Sequence, residues 1–333
     1  MSTDEGNGRV TMADIARIAG VSVPTVSRAL RNVDTVGIET RQRIQALAAE
    51  HGFVANPAAQ ALRGVASRKI AIIIDFTGKG PGRASPDAFV FELLADVAHA
   101  LTIRDFEIAL SPREPSVERY HRHLAEIGAT GAIFLGQGGQ QEILQQLAPR
   151  FPFVVYGAVM PDSVYCTVGS DNLAGGELAG RELQRRGCRS ALLLGDPETD
   201  QVRLRFEGFA AGFAGGHSTL PVRGFSYEGA YQALKERLQS ADDRPDGVFA
   251  ASDTLAMAVI RAAREVGVKV PDDLSVIGYN DIPQSEIFEP PITTVREDDH
   301  RAGSLLVEKL MQIRDGVRAS SARLGVSLIV RET

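Results

Sequence analysis

The 333-residue chain is poor in cysteine, has no long apolar run and carries no overall basic excess. Each shortage excludes something. Two cysteines, Cys166 and Cys188, cannot build a disulfide framework or a four-cysteine zinc site. They read as small buried residues in a reducing compartment. No stretch approaches the ~18 uninterrupted apolar residues of a membrane span. Residues 1–10 are polar, carry Asp4 and Glu5, and hold no apolar core of a secretory signal, so a cytoplasmic protein is expected. Enzyme signatures are missing too. Gly78-Lys79-Gly80-Pro81-Gly82 lacks the spacing and the following helix of a phosphate loop, and Gly136-Gln137-Gly138-Gly139 lacks the third glycine of a dinucleotide turn. There is no Gly-x-Ser-x-Gly elbow. His121 and His123 lie two apart and diverge on a helix, which argues against a shared metal. Neither cofactor nor metal is expected. Among 42 Asp and Glu, carboxylate pairs for glycoside chemistry stay open, since sequence does not position them.

What is present is the balance of a folded protein, 44% hydrophobic and 23% charged. At roughly 150 residues per domain the length allows about two domains. The net charge of −6 is unevenly divided: residues 1–69 hold nine Lys/Arg against six Asp/Glu, +3, which leaves −9 on the remainder. A small basic head on an acidic body points to the head as the part that approaches a polyanion.

Three short helical patterns fill residues 11–52. Thr11-Met12-Ala13-Asp14 forms a capping box, with Ile15, Ile18 and Ala19 on one face. Gly20-Val21 ends that helix. Ser22 caps a second, with Pro24 tolerated in its first turn, Val26, Ala29 and Leu30 inward, and Val23, Thr25, Ser27, Arg28 and Arg31 outward. A third runs from about Ile38 to His51 on Ile44, Leu47 and Ala48, stopped by Gly52. Residues 56–63 are a separate segment, with Asn56 as N-cap, Pro57 at the first helical position and alanines after it. So short a helix is marginal alone in water and suits folding on a docked partner. From residue 70 short apolar strands alternate with helices: Ile70–Ile74, Glu107–Leu110, Ala132–Leu135, Phe153–Tyr156, Ala191–Leu194, Val248–Ala250 and Ser275–Tyr279, with helices such as Phe91–Leu101, Leu173–Arg186 and Thr254–Val266. The pattern predicts buried parallel strands in βα units, in one large sheet or two doubly wound lobes.

Helix, glycine turn and a second helix with polar outward residues make a helix-turn-helix, whose second helix fits a major groove; the same motif can also serve protein interaction. Here a resemblance becomes specific. Val10 through Ala16, Ala19 through Leu30, Thr40-Arg41, and Gly52 through Asn56 with Ala61-Leu62-Arg63 are similar to the opening of the lac-repressor (LacI/GalR) family of bacterial transcription regulators. The likeness then continues over nearly the whole chain.

The resemblance implies a helix-turn-helix DNA-binding domain over 1–55 and a hinge helix over 56–66. After them comes a two-lobed, periplasmic-binding-protein-like α/β core over 67–333. The first lobe takes 67–167 and 295–323, the second 168–294 and 324–333, with crossovers near Val168, Thr294 and Leu324. Val23 and Pro24 match base-reading positions, and Pro24 offers only an apolar contact, as to a thymine methyl. Arg28 matches a guanine or phosphate contact. Thr25, Ser27 and Thr40 match phosphate donors. Thr11, Ser22, Arg31, Ala59 and Arg63 belong to the same expected interface. Asn56 caps the hinge helix, and Leu62 matches a residue that wedges into the minor groove, an insertion that costs roughly a few kcal/mol in unstacking; apart from the motif, Leu62 reads as core of the junction. Arg41 and Arg43 read as solvated or phosphate-facing.

In the core the resemblance makes Arg205 a fork onto ligand hydroxyls or carboxylate and Phe225 a ring-stacking residue. Ser252 stands where Asn is usual and Asn280 where Asp is usual; the second departure removes a strong acceptor and counts against a plain hexose. Asp75, Gln137 and Tyr156, at strand ends, complete the expected effector site, while Asp253 and Asp281 read as loop caps. The implied protein is a repressor that binds a pseudo-palindromic operator, senses a sugar or sugar derivative, and acts in the bacterial cytoplasm on the nucleoid. The chain stops at Arg331-Glu332-Thr333 without the leucine heptads of the family's tetramers, so a homodimer is expected. A purine- or phosphometabolite-dependent corepressor system, and a binding protein with a relic head, stay open as alternatives.

Overall fold

A computed structural model describes residues 12–30, 36–51, 67–74, 87–223, 225–240, 244–297 and 301–333. The chain divides into two units, residues 1–67 and 68–333.

The first unit contains α1 (Met12–Ala19), α2 (Val23–Leu30) and α3 (Ile38–Glu50). Gly20 ends α1 at φ +65°, where a side chain would be strained, and the Val21 N–H reaches back to the Ala16 carbonyl at 3.1 Å. Ile15, Ala16, Ala19, Val26, Ala29, Val36 and Ile44 form its core. Ile18, expected inside, is exposed, because Ala16 takes the inward place one residue before Arg17; Leu30 and Leu47 are half-buried.

The second unit holds two six-stranded sheets. The first comprises β1 (Lys69–Ile73), β2 (Glu107–Ser111), β3 (Ala129–Leu135), β4 (Phe153–Tyr156), β5 (Thr167–Ser170) and β11 (Ala322–Leu324), in the order β11-β5-β4-β3-β1-β2 and parallel throughout. The second comprises β6 (Ser190–Gly195), β7 (Gly216–Pro221), β8 (Gly247–Ala250), β9 (Ser275–Tyr279), β10 (Thr293–Glu297) and β12 (Val326–Ile329), in the order β12-β10-β9-β8-β6-β7. Only its β10–β12 pair is antiparallel. Both sheets contain the doubly wound order 2-1-3-4-5, which places a ligand crevice beyond the carboxyl ends of the strands.

Helices cover the sheets: α4 (Ala88–Thr102), α5 (Val117–Glu126), α6 (Gln141–Leu147) and α12 (Ala302–Arg314) belong to the first lobe, and α7 (Asn172–Arg185), α8 (Asp200–Gly212), α9 (Tyr227–Gln239), α10 (Asp253–Glu265) and the single turn α11 (Pro283–Ile287) to the second. α7 and α8 cross so closely that a Cβ on Gly176 would stand 1.9 Å from the Arg205 carbonyl oxygen, and one on Gly208 2.0 Å from that of Leu173. This approach seats α8 and the side chain it carries into the crevice. β5 remains in the first sheet through Ser170 and β10 in the second through Glu297, two and three residues beyond the Val168 and Thr294 positions read from the sequence; the third crossover lies between Leu324 and Val326. The delay matters because it assigns Glu297 to the second lobe.

Candidate functional site

The first unit presents an outward face on its second helix. On α2, Val23, Pro24 and Arg28 are exposed and Thr25 and Ser27 half-buried, while Val26 and Ala29 are in the core. Ser22 Oγ accepts from the Thr25 N–H at 3.3 Å and lies 2.8 Å from Thr25 Oγ1, so both hydroxyls already serve the helix end. Thr40 is half-buried in the first turn of α3. Arg43, exposed, and Arg41, half-buried, also bond locally: Arg43 donates to the Ala19 carbonyl at 2.9 Å and Arg41 to that of Val36 at 3.1 Å, tying α3 to the carbonyls that end α1 and precede α3. Thr11, Arg31, Asn56, Ala59, Leu62 and Arg63 lie outside the described residues.

Between the lobes of the second unit is a cavity of about 300 Å³. Its wall is built from strand ends: Ile74, Gly136 and Tyr156 at β1, β3 and β4, and Asp196, Asn280 and Glu297 at β6, β9 and β10. Phe89 and Tyr156, with ring centroids 5.6 Å apart, supply an aromatic face from the first lobe and Phe225 one from the second. Such faces suit the C–H surface of a sugar ring, and the surrounding polar groups suit its hydroxyls.

Arg205 projects from α8 and is 4% exposed. Its Nε donates to Asn172 Oδ1 at 2.9 Å, Nη1 to the Ala251 carbonyl at 2.5 Å, and Nη2 lies 3.6 Å from Glu297 Oε1. The guanidinium also lies over the Tyr279 ring, 3.5 Å from its centroid. Glu297, 2% exposed, accepts the Tyr156 hydroxyl on Oε2, while Oε1 makes no hydrogen bond. Burial pushes the Glu297 carboxyl up, partly offset by Arg205. Burial also drives the Tyr156 phenol well above the ordinary tyrosine range, and the Glu297 charge adds to this.

Asp87 caps α4, Oδ1 accepting from the Phe89 N–H at 3.0 Å. Its Oδ2 is buried without a hydrogen bond. Burial pushes this carboxyl up as well, opposed by the Phe89 N–H first and then by Ser252, Arg205 and Asn280, all three on the second lobe. Asn280 sits at φ +105°, a conformation few side chains adopt, and its Oδ1 is likewise buried and without a hydrogen bond. At the edge of the cavity Gln141 donates to Asp200 Oδ2 at 2.5 Å. Tyr156–Glu297 and Gln141–Asp200 therefore join the lobes across the cleft.

Comparison with known proteins decides what kind of molecule carries this pair of features. Residues 11–56 match the family described as bacterial regulatory proteins, lacI family, and residues 181–333 match a periplasmic binding protein-like domain. The HTH-type transcriptional regulator GntR of Pseudomonas aeruginosa is 30% identical over 343 residues, covering 98% of this chain and 96% of its own. The chain belongs to the lacI family. Among solved structures, the transcriptional regulator CelR–cellobiose complex is 28% identical, with TM-score 0.67, covering 97% of this chain and 99% of that one. The lac repressor dimer bound to operator and the anti-inducer ONPF has TM-score 0.83 at 24% identity, covering 98% and 99%, a likeness of fold.

In this lacI-family core the expected effector residues divide. Arg205, Tyr156, Phe225 and Asn280 line the cavity together. Gln137 lines it as well, but its amide is engaged: Nε2 donates to the Ala158 carbonyl and Oε1 accepts from the Ala158 N–H, both at 3.0 Å. Ser252 is not on the wall. It is fully buried as the N-cap of α10, its Oγ accepting from the Leu255 N–H at 3.3 Å, because a serine before a helix beginning with Asp253 satisfies that helix end. Asp75 lies outside the described residues. Asp281, expected as a loop cap, bridges Arg296 and Arg331 at 2.7 and 2.6 Å. Sequence reasoning missed Asp87 and Glu297. Asp87 is legible as an N-cap ahead of an apolar run; for Glu297 no local signal exists.

Among the described residues no helix is long and apolar enough to cross a membrane.

Proposed function

We propose that the chain regulates transcription by binding a pseudo-palindromic operator as a homodimer, and that a sugar or sugar derivative held between the core lobes sets its operator affinity. It works by binding and not by catalysis, in the bacterial cytoplasm on the nucleoid. The observation that carries the reading is the cavity at the strand ends of both lobes, where aromatic faces meet polar side chains, in a chain whose other unit presents an exposed Val23-Pro24-Arg28 helix face. The similar regulator solved with cellobiose supports a carbohydrate ligand. A ligand that touches both lobes favours the closed arrangement and shifts the operator-binding state only by its difference in affinity for the two. The hinge segment around Leu62 is the natural relay. Two-fold protein symmetry then maps onto two half-sites.

The test is selection of duplexes from a random pool by the full chain, followed by anisotropy titrations across salt and with saturating sugars. A palindromic consensus, an affinity that falls steeply with salt, and a change on adding one sugar are expected. Arg28→Ala should weaken operator binding about 10- to 100-fold, the worth of one base contact, with the ligand response of the core intact. A chain that binds sugars but enriches no duplex would be a binding protein with a relic head.

A further inference from the structure

The polar groups of the cavity are unequally satisfied. Among the described residues several of its donors are engaged by the protein: Arg205 by Asn172, Ala251 and Glu297, Gln137 by Ala158, Gln141 by Asp200, and one guanidinium nitrogen of Arg113, Nη2, by the Gly136 carbonyl at 2.8 Å. Three oxygens on the same wall make no hydrogen bond, Asp87 Oδ2, Asn280 Oδ1 and Glu297 Oε1, and their residues are 4%, 8% and 2% exposed. A buried acceptor left unpaired costs stability, and a ligand that supplies donors recovers it. Charge points the same way. Glu297 stands as the counter-charge of Arg205, and Asp87 adds a second carboxyl close enough for its charge to push the Glu297 carboxyl up. An anionic ligand would bring a further negative charge to a cationic group that is already paired.

Resting on the effector-cleft reading above, we propose that Glu297 is the specificity residue of this site: by neutralising Arg205 it excludes sugar acids and sugar phosphates. With Asp87 and Asn280 it presents an acceptor surface to a neutral or amine-bearing polyol. Arg205 accordingly acts here as a scaffold for Glu297 and the Ala251 carbonyl, and not as an anion fork.

The experiment titrates the full chain, by calorimetry and thermal shift, with matched probes on pentose, hexose and disaccharide skeletons: the neutral sugar, the amino sugar, the aldonate and the phosphate. In the wild type a neutral or amino member should bind, with its anionic counterparts at least tenfold weaker. Glu297→Gln keeps an acceptor for Tyr156 but leaves Arg205 without its counter-charge, so the preference should collapse to less than threefold or reverse. Asp87→Asn, whose side-chain oxygen can still cap α4, should move the ratio in the same direction by a smaller factor; it provides a second variant should Glu297→Gln not fold. Anions that bind the wild type as well as their neutral partners would overturn the proposal. So would a panel in which no neutral or amino member binds, or folded variants with an unchanged ratio. Operator binding measured on the same samples separates the two readings: if it persists, only the charge inference falls, and if it is absent from the wild type, the regulator itself is in question.

Discussion

Two buried carboxyls in the second lobe show opposite uses of the same chemical group. Asp253, fully buried at the start of α10, has both oxygens engaged: Oδ1 accepts from Thr294 Oγ1 at 2.5 Å and Oδ2 from the Ile282 N–H at 2.9 Å. It joins the first turn of α10 to β10 and to the loop after β9, in a space so tight that a Cβ on Gly278 would stand 2.1 Å from its Oδ1. Glu297, at the far end of β10, has one oxygen engaged by Tyr156 and the other turned to the cavity without a hydrogen bond. A satisfied buried acid fixes the fold, whereas a half-satisfied one on a cavity wall is poised for a ligand. The first kind should respond to mutation chiefly in stability, and the second chiefly in binding.

The sharpest way to break the contrast is Arg205→Ala. The substitution deletes the counter-charge of Glu297, the donors to Asn172 and Ala251, and the cation over Tyr279 at once. Removing one partner of a buried charge pair costs about 3–5 kcal/mol. Chemical denaturation should show a loss of that order, together with disappearance of any ligand-induced rise in Tm. A variant as stable as the wild type would mean that Glu297 takes up a proton without penalty, and the two acids would no longer differ.

For Asp253 the comparison is sharpened by pH. Burial pushes this carboxyl up to about 7, against the donors that face it from Thr294, Ser285 and the Ile282 N–H, and the nearby Asp87 charge adds to the rise. A folded value above the unfolded 3.8 means that folding takes up a proton. This contribution is complete below about pH 4 and is lost as pH rises through 7. The difference between 3.8 and about 7 corresponds to roughly 4 kcal/mol. Other carboxyls run the opposite way, Glu265 being held at about 2 chiefly by the Tyr231 hydroxyl and Lys235. The observable is therefore the stability difference between wild type and Asp253→Asn. Urea melts from pH 4 to pH 8 should show the wild type losing about 4 kcal/mol relative to the variant, and a difference that stays flat across that range would contradict the assignment.

These two acids also mark how far the sequence could be read. Asp253 follows a serine and precedes an apolar helical run, so a helix start is visible locally; the structure gives the cap to Ser252 and turns Asp253 to Thr294 and the Ile282 N–H. The helix-turn-helix is legible for the same reason: its glycine turn, caps and apolar spacing all lie within about thirty residues, and the apolar strands of β1, β3, β4, β6, β8 and β9 stand out as buried parallel strands do. β7 does not, because Gly216–Pro221 is a polar edge strand with no buried position. Arg205 is found through family resemblance, but its commitment to Asn172, Ala251 and Glu297 is not, since those partners are 33, 46 and 92 residues distant in the chain. Glu297 is one of 42 acids and ends a strand of ordinary composition. Only the topology, which carries β10 beside β9 and its end against Tyr156, 141 residues earlier, makes it buried.

The smallest expected effect tests that last contact. Tyr156→Phe removes the hydroxyl that engages Glu297 Oε2 across the cleft while preserving the ring beside Phe89. Leaving one buried acceptor unsatisfied costs about 1–3 kcal/mol, which is a few degrees of Tm for a unit of this size. The change should push the Glu297 carboxyl further up, since the Tyr156 hydroxyl is among the groups that lower it. With both Glu297 oxygens then lacking a firm partner, the arrangement loses one of its cross-lobe hydrogen bonds, and sugar affinity should fall by less than tenfold. Charge selectivity should survive, because Arg205 still faces Glu297. Loss of selectivity in Tyr156→Phe with stability unchanged would show instead that the phenol, and not the carboxylate, sorts the ligands.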